Sequence, residues 1–234
     1  PGRRAGAPPQ AERRLVLEWR PGRQVTARLE GPAAVRRPAV LLAHGAGAGQ
    51  GHPFIAGLRR RLAAGGYPTM TFDYPYVAEE RRVPDRLQVL LECHRAASRC
   101  LAGEAGAGVV LAGKSMGSRV AGHLAAGGEP CRGVVCFGYP LVPPGGTVPR
   151  DTTHLEAVAA PILFLSGSRD RLGPLGLLLP LAARLPAARL EVVEGADHSF
   201  GVRAAPNAGG EAALDRLAAL TLAWLGDVLG TRGR

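Results

Sequence analysis

The sequence predicts one α/β domain, in which a mostly parallel sheet is covered by helices on both faces. Short apolar runs such as 38–43 and 133–137 lack polar alternation, as expected of strands buried on both sides. These runs alternate with segments of helical periodicity such as 54–64, and this order is typical of βαβ units. With 234 residues, 46% of them hydrophobic, the chain can build one sizeable core.

The elements follow in order along the chain. Residues 1–14 are rich in Pro, Gly, Ala and Arg, which predicts a disordered arm before a single domain over 15–230. Residues 15–19 and 24–29 flank Pro21-Gly22 and are predicted to pair in antiparallel fashion. The later predicted strands are 38–43, 69–73, 108–112, 133–137, 161–166 and 190–194, making about eight in all. The predicted helices are 54–64, 85–101, 116–126, 175–185 and 214–229.

The net charge of +10 raises the question of nucleic-acid binding. Six arginines fall in the first 23 residues, so much of the surplus lies outside the predicted core. The run Arg59-Arg60-Arg61 lies on a predicted helix, where we expect a solvated face rather than a phosphate groove. Aromatic residues make up only 5% of the chain and do not interleave with these arginines, so we expect no nucleic-acid partner.

Two further patterns bear on location. No apolar run approaches the roughly 18 residues of a membrane span, and no secretory leader pattern is present. The four cysteines have neither zinc-ligand spacing nor a spacing that favours a disulfide. We therefore expect no bound metal, no membrane partner and a cytoplasmic location.

One motif follows the strand predicted at 108–112. It reads Gly113-Lys114-Ser115-Met116-Gly117, a G-x-S-x-G pattern between an apolar strand and a helix of small residues. In that context a sharp elbow exposes a serine hydroxyl, and glycines are required where side chains would clash with the neighbouring strand and helix. An ordinary glycine-rich turn is the alternative.

A base and an acid follow two later strands. A serine hydroxyl becomes an effective nucleophile when a base takes its proton and an acid orients that base. Asp170 follows the strand at 161–166, and His198 follows the strand at 190–194. The carboxyl ends of parallel strands share one edge of a sheet, so Ser115, Asp170 and His198 are predicted to converge as a catalytic triad.

Other polar residues fit these roles less well. Asp197 is adjacent to the predicted base and is expected to shape its loop, while Asp73 ends an earlier strand. His94, His123 and His154 do not follow strands and are expected to be structural or exposed.

The strand at 38–43 is followed by a His-Gly loop over 44–49. Acyl transfer needs backbone N–H groups directed at the developing oxyanion. We predict those of Met116 and Ala46, with Gly47 as the near alternative. A phosphate cradle is the other interpretation of the loop, but the loop has neither a P-loop ending nor G-x-G-x-x-G spacing.

Six stretches together resemble a known family. They are LLAHGAGAG (41–49), FDYPY with the later RR-x-PD (72–85), GKSMGSRVA (113–121), GYPL with the later R-x-x-x-HL (138–155), FLSGSRD (164–170) and ADHSF (196–200). They resemble the small α/β-hydrolases related to dienelactone hydrolase. Within that group they resemble the subgroup sharing the hydrolase-like domain of a non-specific-lethal histone acetyltransferase complex subunit. The resemblance implies the α/β-hydrolase fold and supports the triad, but dienelactone hydrolases carry Cys where this chain has Ser115.

The substrate pocket is less well determined. Lids of this fold usually enter between the strands at 133–137 and 161–166. The connection here, 138–160, is a proline-containing loop too short for a helical cap, which predicts no lid domain and an open site. The residues predicted to line the pocket are Gly47, His52, Tyr74, Arg81, Arg82 and Tyr139. The two arginines are interpreted either as anion-binding groups or as solvated surface.

The sequence thus predicts a cofactor-free serine hydrolase that cleaves ester or thioester bonds of small soluble substrates through an acyl-enzyme. A catalytically idle hydrolase fold serving as a protein-interaction module is the alternative. Lys114 could lower the pKa of the nucleophile or bind substrate charge, although residues at this elbow position usually point away from the base. The sequence does not indicate an oligomeric state.

Overall fold

The computed structural model describes residues 12–32, 37–202 and 209–230, which form one eight-stranded sheet flanked by helices. The strands are β1 (Arg13–Arg20), β2 (Arg23–Glu30), β3 (Ala39–Ala43), β4 (Thr69–Phe72), β5 (Val109–Lys114), β6 (Gly133–Phe137), β7 (Ile162–Gly167) and β8 (Ala188–Val193). The helices are α1 (Pro53–Ala64), α2 (Pro75–Ala78), α3 (Leu87–Ala105), α4 (Met116–Ala126), α5 (Leu175–Arg184) and α6 (Gly209–Gly230), with a 3₁₀ turn at Thr153–Ala157. None of the helices in these described ranges has the length and hydrophobicity of a membrane span.

Every predicted strand and helix is present, with ends that differ by a few residues. Strand β1 begins at Arg13, inside the predicted arm 1–14, because Arg13 and Arg14 pair with residues of β2. Residues 1–11 of that arm lie outside the described residues. Helix α2 and the 3₁₀ turn were not predicted, because elements of four or five residues are too short to show a period.

Alternation along the central strands builds two hydrophobic cores. Leu41 and Leu111 face the layer of α3, α4 and α5, whereas Val40 and Val110 face α1 and α6. All four side chains are fully buried. The prediction of helices on both faces is confirmed, and it explains why these strands are apolar throughout.

The chain changes direction across the sheet at β3. The strand order is β1-β2-β4-β3-β5-β6-β7-β8, so α1 leads outward from β3 to β4 and α3 leads back past β3 to β5. Strands β3 and β5 are adjacent and parallel. Such a reversal opens a crevice between the carboxyl ends of the two strands. The loop after β3 and the elbow after β5 therefore meet at this crevice.

The connection 138–160 packs onto the body of the domain. Tyr139, Leu141, Val142 and Leu155 from this segment are buried. Its only regular element is the 3₁₀ turn, and the whole segment lies within the described residues. The prediction that no lid domain enters at this connection is thus confirmed.

Arg59 is buried, so the expectation of a solvated arginine face is wrong at this position. Its guanidinium donates to Glu30 at 3.1 Å, to the Thr71 hydroxyl at 3.1 Å and to Glu12. These contacts join α1 to β2 and β4, because Arg59 points from the helix toward the edge of the sheet. Arg60, on the other side of the helix, is exposed.

We expect Arg59→Ala to lower the free energy of unfolding by about 2–3 kcal/mol, because it leaves the Glu30 carboxylate and the Thr71 hydroxyl without this donor and Glu12 with Arg28 alone. Arg60→Ala, the matched control, should change it by less than about 0.5 kcal/mol. Urea unfolding followed by circular dichroism measures both. Equal effects of the two substitutions would show that the buried ion pairs do not stabilise the fold.

Candidate active site

Ser115 lies at a sharp turn between β5 and α4. Its φ of 51° and ψ of −114° are values that residues other than glycine rarely adopt. A Cβ on Gly113 would lie 2.2 Å from the Gly117 carbonyl carbon, and a Cβ on Gly117 would lie 2.6 Å from the His44 oxygen. The prediction that both glycines are required by the neighbouring helix and strand is confirmed.

A continuous hydrogen-bond chain joins Ser115, His198 and Asp170. His198 Nε2 is 2.9 Å from Ser115 Oγ, and His198 Nδ1 is 2.8 Å from Asp170 Oδ2. The N–H groups of Leu172 and Gly173 donate to Asp170 Oδ1 at 2.8 and 2.9 Å. The Asp170 side chain is fully buried, while that of His198 is 22% exposed. The structure therefore brings together the three residues predicted from separate strands.

The Asp170 carboxyl is ionised in this setting. Burial raises its pKa. The hydrogen bond and charge of His198 and the N–H groups of Gly173 and Leu172 have a larger, opposite effect, so the pKa of Asp170 lies below its usual value. An ionised carboxylate orients the imidazole with Nδ1–H toward itself. Nε2 is then the nitrogen that can accept the proton of Ser115.

The loops after β7 and β8 pack tightly against each other. A Cβ on Gly167 would lie 2.2 Å from the Ala196 oxygen. Asp197 Oδ1 accepts from the N–H groups of Ser199 and Gly201 at 2.9 and 3.0 Å. Asp197 thus shapes its own loop, as predicted, and is not the partner of the imidazole.

Buried polar groups anchor the loop after β3. His44 Nδ1 donates to the Gly45 oxygen at 2.8 Å, and His44 Nε2 accepts from the Tyr74 N–H at 3.1 Å. The Tyr76 hydroxyl donates to the same Gly45 oxygen at 3.4 Å. Burial lowers the pKa of His44, so this ring is a neutral linker with its proton on Nδ1.

This anchoring orients one predicted oxyanion donor, and the start of α4 orients the other. In a trans peptide the C=O and the next N–H point in opposite directions. The Gly45 carbonyl faces inward to His44 and Tyr76, so the Ala46 N–H faces away from them, on the exposed side of the loop. The Met116 N–H is the first of α4 and has no helical acceptor. Neither N–H donates to another backbone group of the described chain.

Two cavities meet at His198. The first, of about 180 Å³, is lined by Gly45, Ala46, Ala48, His52, Phe54, Ile55, Lys114, Ser115, His198 and Ser199. The second, of about 520 Å³, is lined by Arg169, Arg171, Gly195, Asp197, His198, Ser199 and Gly201. We call them the inner cleft and the outer cavity. His198 and Ser199 line both cavities.

Two tyrosines predicted to line the pocket are in the core instead. Tyr74 and Tyr139 are fully buried. Their hydroxyls share hydrogen bonds with His94 Nδ1 at 3.0 Å and with His154 Nε2 at 3.1 Å. Burial raises the pKa of both phenols. The prediction is corrected because both side chains turn inward just after their strands, where a ligand cannot reach them.

The predicted arginines are also outside the lining of both cavities. Arg81 donates to Glu79 at 2.9 Å and to Asp85 at 2.7 Å, so two carboxylates compensate its charge. Arg82 is exposed. The prediction that these residues line the pocket is corrected, because the turn after α2 directs Arg81 to its own neighbours.

His52 does line the inner cleft, whereas Gly47 is not among its lining residues. Phe54, Ile55 and Ser199 line the cleft and were not predicted. Phe54 and Ile55 were recognised only as apolar positions of α1, and nothing in that periodicity indicates which end of a helix borders a site. Among the described residues, no three His, Cys, Asp or Glu side chains group into a metal site.

Comparisons with known proteins agree with this architecture. A family model described as alpha/beta hydrolase domain matches residues 36–226. Dienelactone hydrolase from Anabaena variabilis superposes with a TM-score of 0.72 at 22% identity, covering 92% of this chain and 96% of that one. A serine hydrolase without lid from Xanthomonas campestris superposes with a TM-score of 0.67 at 16% identity, covering 95% of each chain. A Thermus thermophilus protein superposes with a TM-score of 0.65 at 27% identity, covering 94% of this chain and 98% of that chain. At the first two identities the likeness shows a shared fold.

His94, the partner of Tyr74, should make stability depend on pH. Burial lowers the pKa of His94 to about 3, whereas an imidazole in an unfolded chain has a pKa of about 6.5. Below about pH 6.5 the unfolded state therefore binds a proton that the folded state does not, and this lowers the free energy of unfolding by about 1.4 kcal/mol per pH unit.

Urea unfolding of the wild-type chain and His94→Gln at pH 7 and pH 5 tests this. The advantage of the wild type over the variant should shrink by about 2 kcal/mol between the two pH values. Contributions from other histidines are common to both proteins and cancel. An advantage that does not change with pH would contradict the assignment of a neutral, buried His94.

Proposed function

The chain belongs to the alpha/beta hydrolase domain family, and we propose that it is a serine hydrolase. Its substrates are carboxylic esters or thioesters of small molecules, and cleavage proceeds through an acyl-enzyme. The observation that carries this proposal is the hydrogen-bond chain from Ser115 Oγ through His198 to the buried Asp170.

In the first half-reaction Ser115 Oγ attacks the acyl carbon while His198 Nε2 takes its proton. The substrate oxygen becomes negatively charged, and the N–H groups of Ala46 and Met116 stabilise it, each by about 3 kcal/mol. Asp170 stabilises the imidazolium. As the intermediate collapses, the bond to the leaving alcohol or thiol breaks, and His198 gives that group its proton.

In the second half-reaction water attacks the acyl-enzyme and gives its proton to His198. Ser115 then leaves with that proton, and the carboxylic acid is released. The same donors and the same base serve both steps, so the site requires no cofactor in this proposal.

The two cavities suggest where the acyl group and the leaving group of a substrate bind. His198 must protonate the leaving group, so that group lies toward the outer cavity beyond the imidazole. The acyl group then occupies the inner cleft beside Ser115 and Ala46. At about 180 Å³ this cleft is smaller than the 300–1,000 Å³ of most ligand pockets, which favours a short acyl chain.

The finer assignments belong to this proposal as well. The GKSMGSR stretch (113–119) and GYPL (138–141) support the resemblance to the non-specific-lethal complex subgroup. All four cysteines are free, which is consistent with a reducing, cytoplasmic environment. The absence of a nucleic-acid partner is supported by Arg59 and Arg61, whose charges are used in ion pairs within the chain.

Labelling with a fluorophosphonate probe tests the nucleophile directly. We expect the wild-type chain to be labelled and Ser115→Ala and His198→Ala to lose labelling, because the probe reacts only with an activated serine. Ser199→Ala, which removes another hydroxyl from the same cleft, should retain it. A folded wild-type chain that is not labelled would overturn the hydrolase proposal and favour the interaction module.

Gly138 should be required for the base to keep its position. Its φ is +64°, and a Cβ there would lie 3.3 Å from His198 Cε1 and 3.4 Å from Asp170 Oδ2. Gly138→Ala should slow labelling at least about 10-fold, because small displacements of catalytic groups have large kinetic effects. Gly145 also has a positive φ, +72°, but a Cβ there meets nothing within 4 Å. Gly145→Ala is therefore the control for backbone strain alone, and equal rates for the two variants would contradict the prediction.

A further inference from the structure

Lys114 is the only lysine of the chain, and its side chain enters the inner cleft. It ends β5, and like Ala112 it leaves the sheet on the face covered by α1 and α6. The ammonium lies 5.9 Å from the ring centre of Phe54 and 5.7 Å from that of Phe200. Lys114 therefore does not point away from the site. The roles that remain from the sequence analysis are lowering the pKa of the nucleophile and binding charge on the substrate.

The ammonium of Lys114 has no hydrogen-bond acceptor or ion-pair partner in the part of the chain that the structure describes. Burial lowers its pKa to about 8, although the charges of Asp170 and Asp197 act in the opposite direction. A partly desolvated cation without an acceptor is costly, and aromatic rings near 6 Å recover only about 1 kcal/mol. Lys114 is half-buried and lines the inner cleft, so a partner for the ammonium can approach from the cleft.

The ammonium is also close to the reacting groups. A methyl group on Gly138 would lie 3.3 Å from Lys114 Nζ, 3.3 Å from His198 Cε1 and 3.4 Å from Asp170 Oδ2. These three groups therefore surround one methyl-sized volume. Asp170 favours the charged form of Lys114 but does not form an ion pair or hydrogen bond with it; its oxygens accept from His198 and two backbone N–H groups.

The position within the cleft indicates which part of a substrate Lys114 meets. The inner cleft contains Ser115 and Ala46 and is the acyl side under the proposed function, on which this inference rests. An acyl group bound there extends from the seryl oxygen along the wall formed by Phe54 and Lys114. Two arginines, Arg169 and Arg171, line the outer cavity instead.

We propose that Lys114 is a specificity-determining residue that binds a carboxylate on the acyl part of the substrate. Half-esters and half-thioesters of short dicarboxylic acids are then the preferred substrate class. The carboxylate supplies the acceptor that the ammonium lacks, and the apolar wall of Phe54 and Ile55 accommodates the methylene groups between the two carboxyl carbons.

A matched pair of chromogenic esters tests this preference. The 4-nitrophenyl half-ester of glutaric acid and 4-nitrophenyl valerate differ by a carboxylate in place of a methyl group. We expect the ratio of kcat/KM for the half-ester to that for the valerate to exceed 10 in the wild type and to fall at least 10-fold in Lys114→Met. Arg82→Met, which removes one positive charge outside the cleft, should leave the ratio unchanged. A ratio that falls equally in both variants, or that is unchanged in Lys114→Met, overturns the proposal.

The same ratio measured against pH requires no variant. Lys114 loses its charge as the pH rises through about 8, so the preference of the wild type for the half-ester should decline from pH 7 to pH 9. The titratable groups near the ammonium are His198, Asp170 and Asp197, and His52 lines the same cleft. Both esters use the same base, so the protonation of that base cancels in the ratio. A ratio that stays constant over this range overturns the proposal.

A binding measurement separates this inference from the proposed function. Glutarate should raise the melting temperature of the wild-type chain more than valerate does, and Lys114→Met should abolish that difference. If fluorophosphonate labelling fails but glutarate stabilises through Lys114, the hydrolase proposal is overturned and the anion site stands. If labelling succeeds and glutarate has no advantage, only the role of Lys114 is overturned.

Discussion

The backbone crossing at Ser115 is the constraint on which the site depends. Strand β5 turns into α4 so tightly that Gly113 and Gly117 leave no space for a Cβ, and Ser115 adopts a positive φ. A residue in such a conformation costs roughly 1–3 kcal/mol and persists only where the surrounding structure imposes it. Here the parallel pairing of β5 with β3 and β6 imposes it. The turn places the hydroxyl at the crevice and the Met116 N–H next to it.

Around this elbow, buried polar groups give the loops one conformation. His44 joins the Gly45 oxygen to the Tyr74 N–H, and two backbone N–H groups together with His198 hold the Asp170 carboxylate. Each of these groups is buried with its partners present, so displacing it would leave polar atoms unsatisfied. Under the proposed function, the predicted oxyanion donors and base are thus positioned before a substrate arrives, which is the condition for electrostatic stabilisation of a transition state.

The two charged groups of the site, the buried Asp170 and the half-buried Lys114, have very different partners. Asp170 accepts three hydrogen bonds and has a lowered pKa, whereas Lys114 has no acceptor among the described residues and also has a lowered pKa. For a carboxylate a lowered pKa means that the surroundings favour the charge, and for an ammonium it means that they disfavour it. The charge of Asp170 is therefore stabilised within the fold, whereas that of Lys114 has no acceptor there, which is the basis for the proposed anion site.

The sequence by itself determined the order of strands and helices, and with it the edge of the sheet at which the site lies. It also determined the elbow glycines and the convergence of Ser115, Asp170 and His198, because parallel strands end at one edge whatever their side chains do. Position after a strand does not determine whether a side chain turns into the core or into the crevice. The tertiary structure decided that for Tyr74 and Tyr139, which are buried, and for Lys114, which lines the cleft. The physical reason is that the direction of a side chain depends on neighbours from distant segments, such as His94 and Phe200. A local sequence pattern does not show which distant residues come into contact.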